Sequence, residues 1–184
     1  MAETLPGCRD GVATRLIREK TKNGPGRKKT RVTEPCTPIP ADQSGLPSDP
    51  KRMRDYLYGL YGESPVGKRT REDLIFDAVG GIVRESYIPA KVRLALFTAT
   101  RRIPGVTVHT QAVDPAARRS IALAFVAADT GLRTEYFFDP RSYQYLGTRQ
   151  VATRATDDAK KGDVLGATAV WRLAVVDKAG QLPR

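Results

Sequence analysis

Apolar residues along this chain follow two different periods, and the period changes near Ile103-Pro104-Gly105. Before that point they recur at helical spacing. Ser48 or Asp49 suits the cap of a first helix and Pro50 suits its first position. Met53, Leu57 and Leu60 then mark one face, flanked by Tyr56 and Tyr61. Thr70 followed by Asp73 is close to a capping box. It opens a second helix whose broad apolar face runs through Leu74, Ile75, Phe76, Val79, Ile82 and Val83. Gly80-Gly81 inside it lowers helix propensity, which points to the close approach of another element. Pro89 opens a third helix, with Val92, Leu94, Leu96, Phe97 and Ala99 as its buried side. Arg101-Arg102 decorate its last turn, where the helix dipole favours cations.

After Gly105 the period shortens to two. Val106 to Val113 alternates, Ile121 to Val126 is apolar, and Thr134 to Phe138 is aromatic and β-branched. Tyr143 to Val151 and Val164 to Val176 follow. Asp114-Pro115, Asp129-Thr130-Gly131, Asp139-Pro140 and the charged loop Thr156 to Gly162 separate these runs. About five strands with short connections make an antiparallel meander. No strand–helix–strand alternation is present, so the expected class is α+β: one antiparallel sheet with about three helices on one face.

The N-terminal part is polar and loop-rich. Val12 to Lys20 reads as a strand or a short helix. Asn23-Gly24-Pro25-Gly26 is a turn signal, and Arg27 to Thr33 reads as a returning strand, Lys29, Arg31 and Thr33 alternating with Thr30 and Val32. Five prolines between Glu34 and Pro50 mark an extended linker. The expected organisation is a lead-in with an edge hairpin over 1–48 and one domain over 49–184.

Composition narrows the function classes. The 184 residues carry a formal net charge of +11, which permits nucleic acid, anionic lipid or acidic polymers as partners. Arg27, Lys28, Lys29 and Arg31 form the one dense basic run and are the candidate polyanion patch. That run lacks the interleaved aromatics that stack on bases and the cysteine and histidine spacing of a zinc finger. The remaining cations are scattered, as on a solvated surface. Two cysteines, Cys8 and Cys36, are not spaced as metal ligands, and fit either one disulfide or two free thiols. No segment reaches the length of a membrane helix, and the N-terminus has neither an apolar signal core nor a lipobox. Read literally, the chain is cytoplasmic.

No catalytic constellation emerges. Asp139 before Pro140 reads as a turn aspartate, and His109 as a strand histidine without an orienting partner. Ser86, Ser120 and Ser142 lack the nucleophile elbow, and the glycines build no phosphate loop. The expectation is no enzyme, no metal and no cofactor. Alternation puts Trp171, Leu173 and Val175 on one face of the last strand. Together with Leu94, Phe97, Phe137 and Tyr145, Trp171 and Leu173 form either core or the lining of an apolar cavity beneath the helices.

Four stretches carry a family resemblance. They are Leu46-Pro47-Ser48-Asp49-Pro50; Arg93-Leu94-Ala95-Leu96-Phe97 leading to Ile103-Pro104-Gly105-Val106; Phe138-Asp139-Pro140 with Tyr143-Gln144-Tyr145-Leu146-Gly147; and Ala174 to Pro183. In that order and spacing, from about residue 30 onward, the chain resembles the C-terminal portion of an actinobacterial family of membrane-anchored proteins without an established activity. The resemblance implies a cytoplasmic segment, one membrane helix and an extracytoplasmic domain similar to the LolA lipoprotein carriers and the RseB regulators of anti-sigma factors. In those, helices lie across the concave side of a curved antiparallel sheet. Against that pattern the expectation is that the cytoplasmic segment, the membrane helix and the first strands are missing here, with Met1 an internal or mis-assigned start or the chain a truncated paralogue. The expected function is non-enzymatic binding of an apolar, lipid-like ligand or of an envelope-signalling protein. The alternatives are a cytosolic binder of nucleic acid or another polyanion, and a fragment without activity of its own.

Overall fold

Side-chain caps set where the first two helices begin. Asp49 accepts a hydrogen bond from the Arg52 backbone N–H at 2.9 Å and Pro50 takes the first position of α1 (Pro50–Gly59). Thr70 Oγ1 accepts from the Asp73 N–H at 3.2 Å and opens α2 (Arg71–Glu85). The Asp73 carboxylate does not complete a capping box; the Arg69 guanidinium donates to both its oxygens at 3.0 Å. Pro89 precedes α3 (Ala90–Thr100). The computed structural model describes residues 12–20, 27–35, 40–61, 67–156, 159–174 and Gln181, with the backbone alone for 15–20 and 27–30. Cys8 and Cys36 lie outside the described residues.

Five strands follow the helices: β3 (Thr107–Val113), β4 (Arg119–Val126), β5 (Leu132–Phe138), β6 (Tyr145–Ala152) and β7 (Val164–Ala169). They pair antiparallel in the order β3-β4-β5-β6-β7, a meander in which each strand lies beside its sequence neighbour. The fold is therefore α+β, three helices packed on one face of a five-stranded antiparallel sheet. A separate two-stranded sheet pairs β1 (Val12–Lys20) with β2 (Arg27–Pro35), so Val12 to Lys20 is a strand. The chain divides into two compact units, Met1–Pro40 and Ala41–Arg184. Ala41 to Leu46 belongs to the second: the Gln43 and Tyr87 N–H groups donate to the carbonyls of Tyr87 and Ala41 at 3.0 and 2.7 Å.

The core lies between helices and sheet. Met53 and Leu57 of α1, Ile75, Phe76 and Val79 of α2, and Val92, Ala95, Leu96 and Ala99 of α3 meet Leu123, Tyr136, Phe138 and Tyr145 of the sheet. Fully burying side chains of this size contributes about 1.5–3 kcal/mol each. Rings organise the contact: Phe76 stacks on Tyr136 at 4.6 Å between centroids, and Phe97 meets Phe138 edge-on at 5.4 Å. Gly80 makes this approach possible. A Cβ built there would stand 2.0 Å from Tyr136 Oη, so the propensity lost in mid-helix is the condition for an aromatic ring to reach the helix backbone.

Strand alternation sends Phe137 to the other face of the sheet from Tyr136 and Phe138. There it is fully buried, with the Arg149 guanidinium 5.2 Å from its ring centroid. Glu135 shares that face, buried between Arg133 Nε at 2.9 Å and Arg149 Nε at 2.7 Å. Opposite Phe137, Gly147 has φ +151°, and a Cβ there would strike the Thr168 carbonyl oxygen at 2.1 Å.

Two readings of the sequence are corrected. Leu94 is not on the buried side of α3 but 47% exposed; the buried stripe is Val92, Ala95, Leu96 and Ala99, and Leu94 lies across the helix from it. The last strand ends at Ala169, not Val176. Its partner β6 begins at Tyr145, so beyond the Val170 N–H to Leu146 C=O bond no strand remains for Trp171 to pair with.

Candidate functional site

Beneath α3 the interior is filled, whereas an open, mixed polar and apolar pocket of about 260 Å³ lies between α2 and the sheet, lined by Asp73, Phe76, Asp77, Phe125, Thr134 and Tyr136 among others. Leu96, Phe97, Tyr143 and Tyr145 close on a void of about 10 Å³, room for about one water and for no lipid chain. Phe97 and Tyr145 are core residues around it, and the Tyr145 hydroxyl is hydrogen-bonded to Thr148 Oγ1. Phe137 faces the opposite side of the sheet, and Leu94, Trp171 and Leu173 are exposed. The six residues expected to line one cavity therefore lie in three different environments, because apolar character alone does not report which face of an element a residue occupies.

A different site assembles where β3, β5 and β7 end. Asp114, in the β3–β4 turn, accepts from the backbone N–H groups of Ala116 and Arg118 at 3.0 and 2.8 Å and from Arg118 Nε at 2.7 Å. Its side chain is completely buried. Arg118 also reaches two backbone carbonyls: Nη1 donates to Val170 and Nη2, which pairs with Asp114 Oδ2 as well, to Leu146, both at 2.9 Å. Burial pushes the Asp114 carboxyl up, but the hydrogen bonds and charge of Arg118 outweigh it and hold it below the ordinary carboxylate value. One guanidinium thus clamps the chain leaving β7 to the start of β6.

Trp171 follows the clamped residue directly. Its ring lies 5.5 Å from the Arg118 guanidinium carbon, within cation–π range, yet it is 78% exposed. Tyr87 and Leu173, 43% and 45% exposed, share with it a shallow groove of about 240 Å³ that also includes Gln144 and Leu146. The groove is open, aromatic and set on a fixed backbone. Nothing in the strand pattern singled out Arg118 or Tyr87. The Asp-x-x-x-Arg spacing of Asp114 and Arg118 across a turn was the available signal.

The N-terminal hairpin organises the basic run. Its register pairs Lys20 with Arg27, Arg18 with Lys29 and Leu16 with Arg31. Arg18, Lys20, Arg27, Lys29 and Arg31 therefore fall at register positions of one parity along the ribbon, and Lys28, paired with Glu19, at the other.

The remaining candidates are structural. Asp139 Oδ1 accepts from the N–H groups of Arg141 and Ser142 at 3.0 and 2.7 Å and from Ser142 Oγ at 2.9 Å. The Ser142 backbone bond first, then the Ser142 hydroxyl and the Arg141 N–H and charge, keep its carboxyl below the ordinary value despite partial burial. His109 is exposed on β3, its Nε2 3.3 Å from Thr107 Oγ1. Among the described residues no three His, Cys, Asp or Glu side chains gather as metal ligands, and no helix is long and apolar enough to cross a membrane. Comparison with protein-family models, with curated proteins and with solved structures finds no match for this chain.

Proposed function

We propose that this chain is a non-enzymatic binding domain, extracytoplasmic as its family resemblance implies, and that it engages a protein partner through the Trp171 groove. The carrying observation is a 78% exposed tryptophan on a backbone immobilised by the Arg118 clamp. A large apolar side chain that follows a hydrogen-bonded residue loses less backbone entropy on association, and tryptophan, tyrosine and arginine dominate the energetics of protein interfaces. Between the two kinds of ligand expected for such a domain, the filled space under α3 and the charged lining of the pocket beside α2 disfavour a buried lipid and favour the surface as the place of contact.

The test is capture from envelope extract by the wild-type chain and by Trp171→Ala in parallel, followed by titration of the purified captured protein. Trp171→Ala should weaken binding by about 30-fold or more, the loss typical of an interface anchor. Equal affinity of both chains would sink the reading, as would tight retention of a lipid in native mass spectrometry.

A second reading has its own observation, the five cations that the hairpin register sets at positions of one parity. A two-stranded ribbon fits the DNA major groove. On this reading Arg27→Gln, Lys29→Gln and Arg31→Gln each lower the slope of log affinity against log salt by about 0.9, whereas Trp171→Ala leaves DNA binding unchanged. A triple variant that binds DNA with the wild-type slope would dismiss it.

A further inference from the structure

The hydrogen bonds around the Trp171 groove restrict the kind of chain that can fill it. Strand addition is closed off at Val170, whose two backbone groups are both in use. Its N–H donates to the Leu146 carbonyl at 2.8 Å, and its carbonyl accepts from Arg118 Nη1 at 2.9 Å. The Leu146 carbonyl takes a second bond from Arg118 Nη2. The carbonyls of Tyr87 and Gln144 accept from the N–H groups of Gln43 and Asp139 at 3.0 and 2.9 Å. A partner that brings a row of N–H groups, as a β-strand does, finds these four acceptors taken.

What the groove keeps available is the complement. The Trp171 indole N–H can only donate, and the Tyr87 hydroxyl and Gln144 amide can each donate. None of these three side chains has a hydrogen-bond partner among the described residues, and no acid lines the groove. Arg118 lies over the indole, and the rest of that ring faces water. The ligand that matches such a lining offers apolar rings and carbonyls and few N–H groups. Proline-rich chain has those properties. Proline carries no N–H, its polyproline II helix makes no internal hydrogen bonds and so leaves every carbonyl free, and its backbone is ordered before binding. Aromatic-lined grooves take up such segments for these reasons.

We propose that the Trp171 groove binds a proline-rich segment of the partner in the polyproline II conformation. Its pyrrolidine rings pack on Trp171 and Tyr87, and its carbonyls accept from the indole N–H, with the Tyr87 hydroxyl and Gln144 amide as further donors. The inference rests on the protein-binding reading and adds to it the chemistry of the segment recognised.

Intrinsic fluorescence of the full chain reports on the groove directly, since Trp171 is the sole tryptophan. The probes are decaproline, a Pro-Pro-Gln repeat peptide and its Ala-Ala-Gln counterpart, which restores the N–H groups and loses the fixed backbone. Both proline peptides should bind saturably and shift the emission to the blue, and the Ala-Ala-Gln peptide should bind at least about tenfold more weakly. For variants the binding is followed by amide chemical shifts around Gln144 and Leu173. Trp171→Phe keeps a ring and loses the donor, and should weaken binding about threefold to tenfold, the worth of one hydrogen bond. Trp171→Ala should weaken it by about 30-fold or more. No saturable response to either proline peptide, equal affinity for the Ala-Ala-Gln peptide, or a blue shift that grows with protein concentration without peptide, which would seat a second copy in the groove, overturns the inference. Its failure is separable from that of the protein-binding reading: a captured protein that still depends on Trp171 while both proline peptides fail to bind removes the proline chemistry alone.

Discussion

Gly80→Ala should destabilise the protein, although alanine is the better helix former. Two effects oppose each other at this position. In the interior of α2 the exchange favours the helix by about 1 kcal/mol. Against that, the new methyl would stand 2.0 Å from Tyr136 Oη and 2.5 Å from Cζ, so the ring must retreat by more than 1 Å to restore van der Waals contact. Tyr136 has little room to do so, being 1% exposed, stacked on Phe76 at 4.6 Å and edge-on to Tyr145 at 6.5 Å. Overpacking of this kind costs about 1–3 kcal/mol and occasionally more. With contact this short the upper end applies, leaving a net loss of about 2 kcal/mol, or roughly 4–8 °C in melting temperature for a domain of this size. Gly59→Ala is the internal control. It also lies in α1's helical turn, and a Cβ there meets nothing within 4 Å, so only the propensity gain should appear. The assay is urea unfolding of wild type, both variants, Tyr136→Phe and the Gly80→Ala/Tyr136→Phe pair. Removing Oη should make Gly80→Ala less harmful, a coupling of about 1 kcal/mol. If Gly80→Ala proves as stabilising as Gly59→Ala, the close-approach argument is wrong.

Four further outcomes follow from the same geometry. Asp114 and Asp139 hold folded-state pKa values below their unfolded ones, so their stabilisation is complete above about pH 4 and disappears as pH falls toward the folded values; unfolding free energy at pH 3 equal to that at pH 7 would contradict this. Asp114→Ala should lose about 2–4 kcal/mol, below the full penalty of a broken buried pair because the Arg118 side chain keeps 30% exposure, whereas Asp139→Ala, a turn residue, should lose about 1 kcal/mol. Gly147→Ala should be worse tolerated than Gly80→Ala, since the obstacle is the backbone carbonyl of Thr168 and not a side chain; comparable melting temperatures would refute that ranking. Trp171, the sole tryptophan, should emit like a solvent-exposed indole in the folded protein and be quenched more readily by iodide than by caesium; blue-shifted, protected emission would show that the groove is covered.

Local chemistry carried most of the fold into the sequence. Asp49-Pro50 and Thr70 mark helix starts without reference to anything distant, and the turn aspartates 114, 129 and 139 separate the strands where backbone needs a local acceptor. Gly80 was legible as a point of close approach, though not as the seat of Tyr136, since helix and ring are 56 residues apart. The site was hardly legible. Alternating Trp171 and Leu173 read as strand because strand character depends on a partner, and β6 starts too late to provide one. Leu94 and Phe137 read as lining because hydrophobicity does not carry the phase of a helix or the side of a sheet. The Arg118 clamp joins residues 114, 146 and 170 through two backbone carbonyls, and a carbonyl oxygen has no signature in the sequence.

The neighbour-to-neighbour order of the five-stranded sheet bears on how the chain reaches its folded state. Each of the four pairings, β3 with β4 through β6 with β7, closes only a short loop, so no strand must wait for a distant partner and the entropy lost in each closure is small. Such a sheet can zip up hairpin by hairpin from any of its turns, and low contact order of this kind goes with fast folding for a β-rich protein. The slow step is then expected to be the docking of α2 and α3 on the finished sheet, when Tyr136 must find the gap at Gly80.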